Sequence, residues 1–359
     1  MITFAQIGDK QELMQLWRTS FPADSEQFIQ LYFNTKFDPH NTLIFKQKGK
    51  IIATLQLLPY RINYFDVIFP CSYISGAATL EEFRNQGIMS QLLVYALNHS
   101  KNRGDIFCLL FTQEDSLEQY YKRFGFANFF EYEALDFEFQ EKKNVPLYYH
   151  IKRLDEVDFE LIYQHYNKYC DRKIFWVRKT REDFRVIWQD YQLAGGDIFI
   201  LKRDGFTKGI VFCKKVENVL IIKDVTTTKK AVLRPFLHKL ADMFCTENVY
   251  IEHAVNDEHN AVSRGMARIL NFPVFFSHFA RQHYHTSIKF AINDEQISEN
   301  TGFYCIKKTK VEKKELWQDT QSINPSTFVK RLTFYERKFN KNDRRIVNIS
   351  PYMSLMLED

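Results

Sequence analysis

The sequence predicts an α/β protein of two or three domains, and three observations carry that expectation. At 359 residues the chain exceeds what one hydrophobic core ordinarily organises. A hydrophobic share of 45% beside 26% charged residues is that of a core-forming globular chain. Strand-like apolar stretches alternate with segments of helical period, and residues 106–111 are apolar at all six positions. Such a run suits a parallel strand covered on both faces.

The elements follow in order. Leu13, Leu16 and Trp17 share one helical face, and Phe28, Leu31 and Tyr32 share a second, capped by Asp24 or Ser25. Strands are expected at 42–45, 51–58 and 66–80, punctuated by Gly49, Pro59 and Pro70. A helix starts at Gly87 and carries Ile88, Leu92, Tyr95 and Ala96 at helical spacing. The apolar strand 106–111 follows Gly104, and a helix holding Tyr120 and Tyr121 ends at Phe124-Gly125-Phe126. Asn144-Val145-Pro146 marks a domain boundary.

Beyond residue 147 the rhythm partly repeats. Strands are expected at 209–213, 219–225 and 249–251, with a helix over 231–244. Residues 266–272 fall where 120–126 fell, so that Ala267 stands in the place of Tyr121 and Phe275-Phe276 echoes Phe129-Phe130. From residue 285 the pattern changes to strands at 287–293, 301–308 and 310–316. A last helix is capped by Asn324, opened by Pro325 and buried through Phe328, Leu332 and Tyr335.

Composition narrows the function. Residues 1–146 hold 14 basic and 17 acidic side chains, and the remainder 35 and 27, giving −3 and +8. That is no nucleic-acid stripe, and a mildly acidic first domain suits cationic, amine-bearing substrates. No run approaches the roughly 18 apolar residues of a membrane span, and the N-terminus lacks the basic start and apolar region of a secretion signal. A cytoplasmic protein without a membrane partner is expected. The cysteines (Cys71, Cys108, Cys170, Cys213, Cys245 and Cys305) are scattered, which predicts buried thiols and neither a disulfide framework nor a structural metal. His253, His259, His283 and His285 form no metal-ligand spacing, and neither common phosphate-binding glycine fingerprint occurs.

The chemistry-bearing segment is Ala77-Ala78-Thr79-Leu80-Glu81-Glu82-Phe83-Arg84-Asn85-Gln86-Gly87-Ile88-Met89, a strand turning into a helix. Gly87 admits a tight turn and close ligand approach. The unpaired amides of the helix start, with its dipole behind them, suit a pyrophosphate. Arg84 adds charge at the rim. Tyr121-Lys122-Arg123-Phe124-Gly125-Phe126 begins 34 residues after Gly87.

This order of strand, Arg-x-x-Gly turn, helix, strand and Tyr-x-x-x-Gly-Phe resembles the GCN5-related N-acetyltransferase (GNAT) superfamily. The resemblance implies an N-acetyltransferase that moves an acetyl group from acetyl-CoA to a primary amine of a small molecule or peptide. It implies cofactor binding by Ala78, Thr79, Leu80, Arg84, Asn85, Gln86, Gly87, Ile88 and Met89. Tyr121, or in its place Tyr120, would protonate the leaving thiolate. Where the family commonly has Gly or Ala two residues after the turn glycine, this chain has Met89, and acetyltransferases of the enhanced-intracellular-survival (Eis) type likewise carry a large residue there.

The Eis resemblance covers the whole chain. It implies tandem GNAT-like domains, each a mixed central sheet flanked by helices, plus a small α+β sterol-carrier-like domain. The divisions are 1–146 for the catalytic domain, 147–284 for a degenerate one and 285–359 for the last. The second domain has Thr226-Thr227-Thr228-Lys229-Lys230-Ala231 in place of a glycine turn. In the Eis type the terminal carboxylate takes the amine proton, a role that falls here to Asp359 or to Glu358. A homo-oligomer, trimer or hexamer, is also implied. The side chains Glu81, Glu82, Glu114, Asp115 and Glu118 are further candidates to attract a cation. The alternative reading is a catalytically inactive acyl-CoA- or lipid-binding scaffold.

Overall fold

The computed structural model describes residues 1–112, 114–136, 149–227, 230–254, 261–283, 287–315 and 322–340. By internal contacts the chain forms two units, one of Met1–Phe130 with Ser263–Arg344, the other of Glu131–Val262 with Arg345–Asp359. The fold is mixed α/β, as the alternation of periods predicts.

The first unit opens with β1 (Ile2–Phe4), α1 (Lys10–Ser20) and α2 (Glu26–Thr35). Ser25 caps α2 by accepting from the Phe28 amide at 3.1 Å. The buried residues of α1 are Leu13, Met14, Leu16 and Trp17. Those of α2 are Ile29, Tyr32 and Phe33, so its buried face is turned one position from the expected Phe28 and Leu31, which are half-buried.

Three antiparallel strands follow: β2 (Thr42–Gln47), β3 (Lys50–Tyr64) and β4 (Val67–Thr79). Lys48 and Gly49, both at positive φ, make the two-residue turn between β2 and β3, a geometry that matches strand twist. β3 runs through Pro59 to Tyr64 instead of stopping. The β2 ladder ends at Gln56, so the missing donor of Pro59 interrupts no bond to β2.

Next come α3 (Ile88–Arg103), β5 (Phe107–Phe111) and α4 (Asp115–Lys122). β5 lies parallel to β4, joined to it through α3. Ile88, Leu92, Leu93, Ala96 and Leu97 of α3 pack with Leu55, Leu57, Ile74, Cys108 and Leu110 in one core. Tyr95, expected on that face, is exposed.

From Glu131, within β6 (Ala127–Asp136), the chain builds the second unit. It contains β7 (Tyr149–Arg153), α5 (Phe159–Cys170), β8 (Phe175–Arg178), α6 (Arg181–Leu193), β9 (Asp197–Arg203), β10 (Phe206–Val216), β11 (Val219–Val225), α7 (Lys230–Met243) and β12 (Asn248–Ala254). β7, β9, β10 and β11 pair antiparallel in that order, and β12 joins β11 parallel through α7. The arrangement β10–β11–α7–β12 thus repeats β3–β4–α3–β5.

The chain then returns to the first unit. β13 (Ala261–Ile269) pairs antiparallel with β5, Arg268 opposite Cys108 and Ala267 opposite Leu109. Residues 266–272 are therefore no helical counterpart of 120–126. Residues 266–270 are fully buried, so the stretch shows no alternation by which a strand could be told from a buried helix.

After α8 (Phe272–Gln282) come β14 (Ser287–Ile292), β15 (Gly302–Lys307), β16 (Lys310–Lys314) and α9 (Pro325–Asn340). The three strands, each expected from the sequence, form one antiparallel sheet. Asn324 caps α9, its Oδ1 accepting from the Thr327 amide at 2.9 Å. Phe328, Val329 and Leu332 are buried, while the side chain of Tyr335 lies outside the described residues. The ring of Phe276 meets those of Phe290 and Tyr304 at 4.9 Å each and of Phe328 at 5.0 Å, filling the space between sheet and helices.

Candidate functional site

The first unit contains a place where two parallel strands part. The β4–β5 ladder runs from Cys71 opposite Phe107 to Ile74 opposite Leu110 and ends there, although β4 continues to Thr79. On its other edge β4 stays paired with β3, but the register slips between Ser75 opposite Gln56 and Ala78 opposite Thr54. The extra residue is a bulge at Gly76, whose φ is +56°. A bulge bends its strand and increases the local twist.

Backbone direction separates the three expected strand ligands. The Leu80 amide donates to the Ile52 carbonyl at 2.9 Å, so it is already used. Ala78, two residues earlier, faces β3 as well. The Thr79 carbonyl instead accepts from Arg84 Nε at 3.1 Å, so the Thr79 backbone points to the opened edge. Its hydroxyl is buried and has no hydrogen-bond partner among the described residues.

The turn that follows is built for a left-handed exit. Glu81–Phe83 form one 3-10 turn, Gln86 Nε2 donates to the Glu82 carbonyl at 3.2 Å, and Asn85 and Gly87 take φ of +61° and +74°. Asn tolerates this region and Gly occupies it freely. A Cβ on Gly87 would meet nothing within 4 Å, so the turn lies open.

α3 then starts with no side-chain cap and no acidic residue in its first turn. Its first helical bond is Gln91 to the Gly87 carbonyl, which leaves the amides of Ile88, Met89 and Ser90 without an intrahelical acceptor. With the 16-residue helix behind them, these amides suit an anion. Met89 is half-buried and packs against the core formed with α3, so its bulk is partly taken up inside the unit. Arg84, Asn85 and Gln86 are exposed.

The two tyrosines of α4 part company. Tyr121 is 8% exposed and belongs to the core shared with α3 and β5. Tyr120 is half-buried, its hydroxyl 3.2 Å from Ser90 Oγ in the first turn of α3 and its ring under the Arg123 guanidinium at 4.8 Å. Burial raises the Tyr120 phenol, against the opposing Ser90 hydrogen bond and Arg123 charge. The Tyr120–Ser90 contact was not legible in the sequence, since nothing in the spacing pairs residues on two helices.

Three of the acidic candidates have partners of their own. Glu118 accepts from Lys122 at 3.1 Å and from Asn128 at 3.0 Å. Glu114 precedes α4 and its carboxylate accepts from Ser116 at 3.2 Å. Glu81 is exposed, and Glu82 lies 3.6 Å from Lys50. Asp359 and Glu358 lie outside the described residues. His283 donates to or accepts from the Tyr64 hydroxyl at 3.2 Å. Among the described residues no group of three His, Cys, Asp or Glu is placed to hold a metal. Cys71, Cys108, Cys170 and Cys213 are buried thiols, whereas Cys245 is exposed and Cys305 half-buried.

Comparison with known proteins bears on the family and the fold. Residues 2–129 match the acetyltransferase (GNAT) domain family. No curated protein matches in sequence. Solved structures match over nearly the full chain. One is a GCN5-related N-acetyltransferase from Anabaena variabilis, at 12% identity and a TM-score of 0.74, covering 98% of each chain. A second, from Enterococcus faecalis, is described as a conserved protein of unknown function and probable N-acyltransferase. It matches at 14% identity and a TM-score of 0.74, over 99% of this chain and 98% of that one. Eis1 from Mycobacterium abscessus matches at 11% identity and a TM-score of 0.73, over 98% of this chain and 99% of that one. At these identities the likeness is one of fold.

Proposed function

We propose that the protein transfers an acetyl group from acetyl-CoA to a primary amine by direct attack. The observation that carries this reading is the coincidence of three features in one unit. β4 leaves β5 after Ile74, an uncapped α3 begins at an open Gly87, and the tyrosine-bearing α4 follows β5. The amides of Ile88, Met89 and Ser90 hold the pyrophosphate, and the Thr79 backbone offers a donor and an acceptor to the amide groups of the pantetheine arm. Acetyl-CoA supplies the thioester that is broken. Tyr121 gives its proton to the departing thiolate, a nearly balanced transfer because a phenol and a thiol titrate within about two units of each other. A carboxylate, Asp359 or Glu358, takes the proton of the attacking amine.

The same reading keeps the divisions 1–146, 147–284 and 285–359 as catalytic, degenerate and sterol-carrier-like domains, and places the protein in the cytoplasm as a homo-oligomer. Among the described residues no helix is long and apolar enough to cross a membrane. Ring packing of Phe276, Phe290, Tyr304 and Phe328 fills the interior beneath the last sheet, which favours acyl transfer over lipid carriage. The test is acetyl-CoA binding followed by amine-dependent release of free CoA, with both lost in Gly87→Glu. A wild-type protein that binds acetyl-CoA but releases no CoA across an amine panel supports the inactive scaffold instead.

A further inference from the structure

Arg268 is fully buried on β13, opposite Cys108 near the start of β5. Its guanidinium has two engaged ends. Nη2 binds Asp294 Oδ1 at 2.6 Å, with both side chains at most 1% exposed. Nη1 donates to the carbonyl of Phe124. Nε has no partner among the described residues.

Phe124 lies in the turn that ends the Tyr121 helix. The Tyr121 carbonyl accepts from the Phe124 and Phe126 amides at 2.9 and 3.4 Å, and the Lys122 carbonyl from Gly125 at 3.0 Å. Gly125 takes φ of +81°, and a Cβ there would run into Arg268 Nη1 and stand 3.2 Å from Pro325 Cβ. The turn is therefore closed from inside by its own amides and from outside by Arg268.

Asp294 is held in turn. It accepts from the amides of Gln296 and Ile297 at 3.1 Å each and from Asn300 Nδ2 at 2.8 Å. Asn300 also bonds the Phe272 amide and the Leu270 carbonyl at 3.1 Å each, on the segment that leaves β13. Lys101 of α3 meets Glu299 at 2.5 Å. An ion pair taken wholly out of water survives only with such added hydrogen bonds.

We propose that Arg268, charge-balanced by Asp294, is the positioning residue for Tyr121, fixing its place by clamping the Phe124–Gly125 turn. This rests on the reading of Tyr121 as the proton donor. Residues more than 140 positions away thereby complete the acyl-transfer domain, and the segment after β13 becomes part of its working parts. The planar fork is required. An ammonium on a flexible stem is a point charge, able to serve Asp294 or the Phe124 carbonyl but not both in the same geometry.

The experiment compares wild type, Arg268→Lys, Asp294→Asn, Tyr121→Phe and the double variant Arg268→Lys/Tyr121→Phe. Acetyl-CoA affinity, kcat with an accepted amine, thermal unfolding and amide exchange at 121–126 are measured. The expected result for Arg268→Lys is a kcat lowered about 100-fold, the scale of an ångström misplacement. Acetyl-CoA affinity stays within about threefold and exchange at 121–126 is faster. In the Tyr121→Phe background Arg268→Lys adds little, because its effect passes through the lost hydroxyl. Asp294→Asn, which keeps the Phe124 bond, falls between wild type and Arg268→Lys.

Three results overturn the inference: normal kcat in Arg268→Lys, losses that multiply in the double variant, or loss of acetyl-CoA affinity together with unfolding. Wild-type turnover in Tyr121→Phe overturns the reading of Tyr121 itself and is visible in that single variant. Should no amine support turnover, exchange decides. Unchanged protection at 121–126 in Arg268→Lys overturns the clamp, and faster exchange with affinity retained supports it.

Discussion

Gly76→Ala tests whether the bulge in β4 is held open by packing. Two costs follow from the structure. At φ of +56° an alanine is strained by about 1–2 kcal/mol. Its Cβ would also collide with the Trp17 ring, meeting Cε3 at 3.0 Å and Cη2 at 3.1 Å beyond the closest atom, Cζ3. Trp17 cannot step aside. It is 3% exposed, its indole donates to Asp24 at 2.7 Å, and its ring lies 4.5 Å from Tyr32, 5.0 Å from Phe21 and 5.6 Å from Phe33. Overpacking of that kind costs about 1–3 kcal/mol, so the total is about 2–5 kcal/mol. Gly49→Ala is the control, since φ there is +82° and nothing lies within 4 Å of its Cβ position. It keeps only the strain, about 1–2 kcal/mol. Urea unfolding followed by far-UV circular dichroism measures both variants, and Trp17→Leu should recover part of the Gly76→Ala loss. Equal destabilisation at Gly49 and Gly76, with no coupling to Trp17, would show that packing against Trp17 does not hold the bulge.

Two smaller predictions concern charge and thiols. Hydrogen bonds from Lys152 and then Lys202 hold the Asp158 carboxyl below the usual carboxylate range. A lowered folded value means stability that is present above about pH 4 and lost as pH falls through that lowered value. Asp158→Asn should therefore be less stable than wild type at pH 7, with the gap closing in acid, and a gap constant with pH would contradict this. For the thiols, burial pushes those of Cys108 and Cys170 up, while Cys245 is exposed. A thiol reagent should modify Cys245 first and Cys305 more slowly, reaching Cys71, Cys108, Cys170 and Cys213 only on unfolding. Fast labelling that persists in Cys245→Ser would contradict the assignment.

What was legible in the sequence follows from where local chemistry decides the structure. Gly87 and Gly104 punctuate α3 because each takes a left-handed φ that other residues resist. The apolar run ending at Phe111 marks β5 because a strand covered on both faces has nothing polar to show. Asn324 and Pro325 mark the start of α9 by capping geometry. Long-range pairing was not legible. β13 reads like a helix or a strand, and only its ladder with β5 decides. The bulge at Gly76 depends on Trp17, 59 positions earlier. Arg268 is hidden for a related reason. A lone arginine in an apolar stretch does not show that it closes the turn after Tyr121 until Asp294 and Phe124 stand beside it. Of the expected ligands, Leu80 is separated from Thr79 by strand direction alone, which spacing cannot reveal.

Binding of acetyl-CoA by β4 and the start of α3 is measured by calorimetric titration. Wild type, Gly87→Asn and Gly87→Glu are compared. Asparagine tolerates the left-handed turn, and the open space at the Gly87 Cβ position keeps either side chain from disturbing the core. Wild type should bind in the micromolar range, with binding retained by Gly87→Asn and abolished by Gly87→Glu, whose carboxylate occupies the anion site. A folded wild type that binds no acetyl-CoA, or a Gly87→Glu variant that binds it as well as wild type, would show that the cofactor does not sit at this turn.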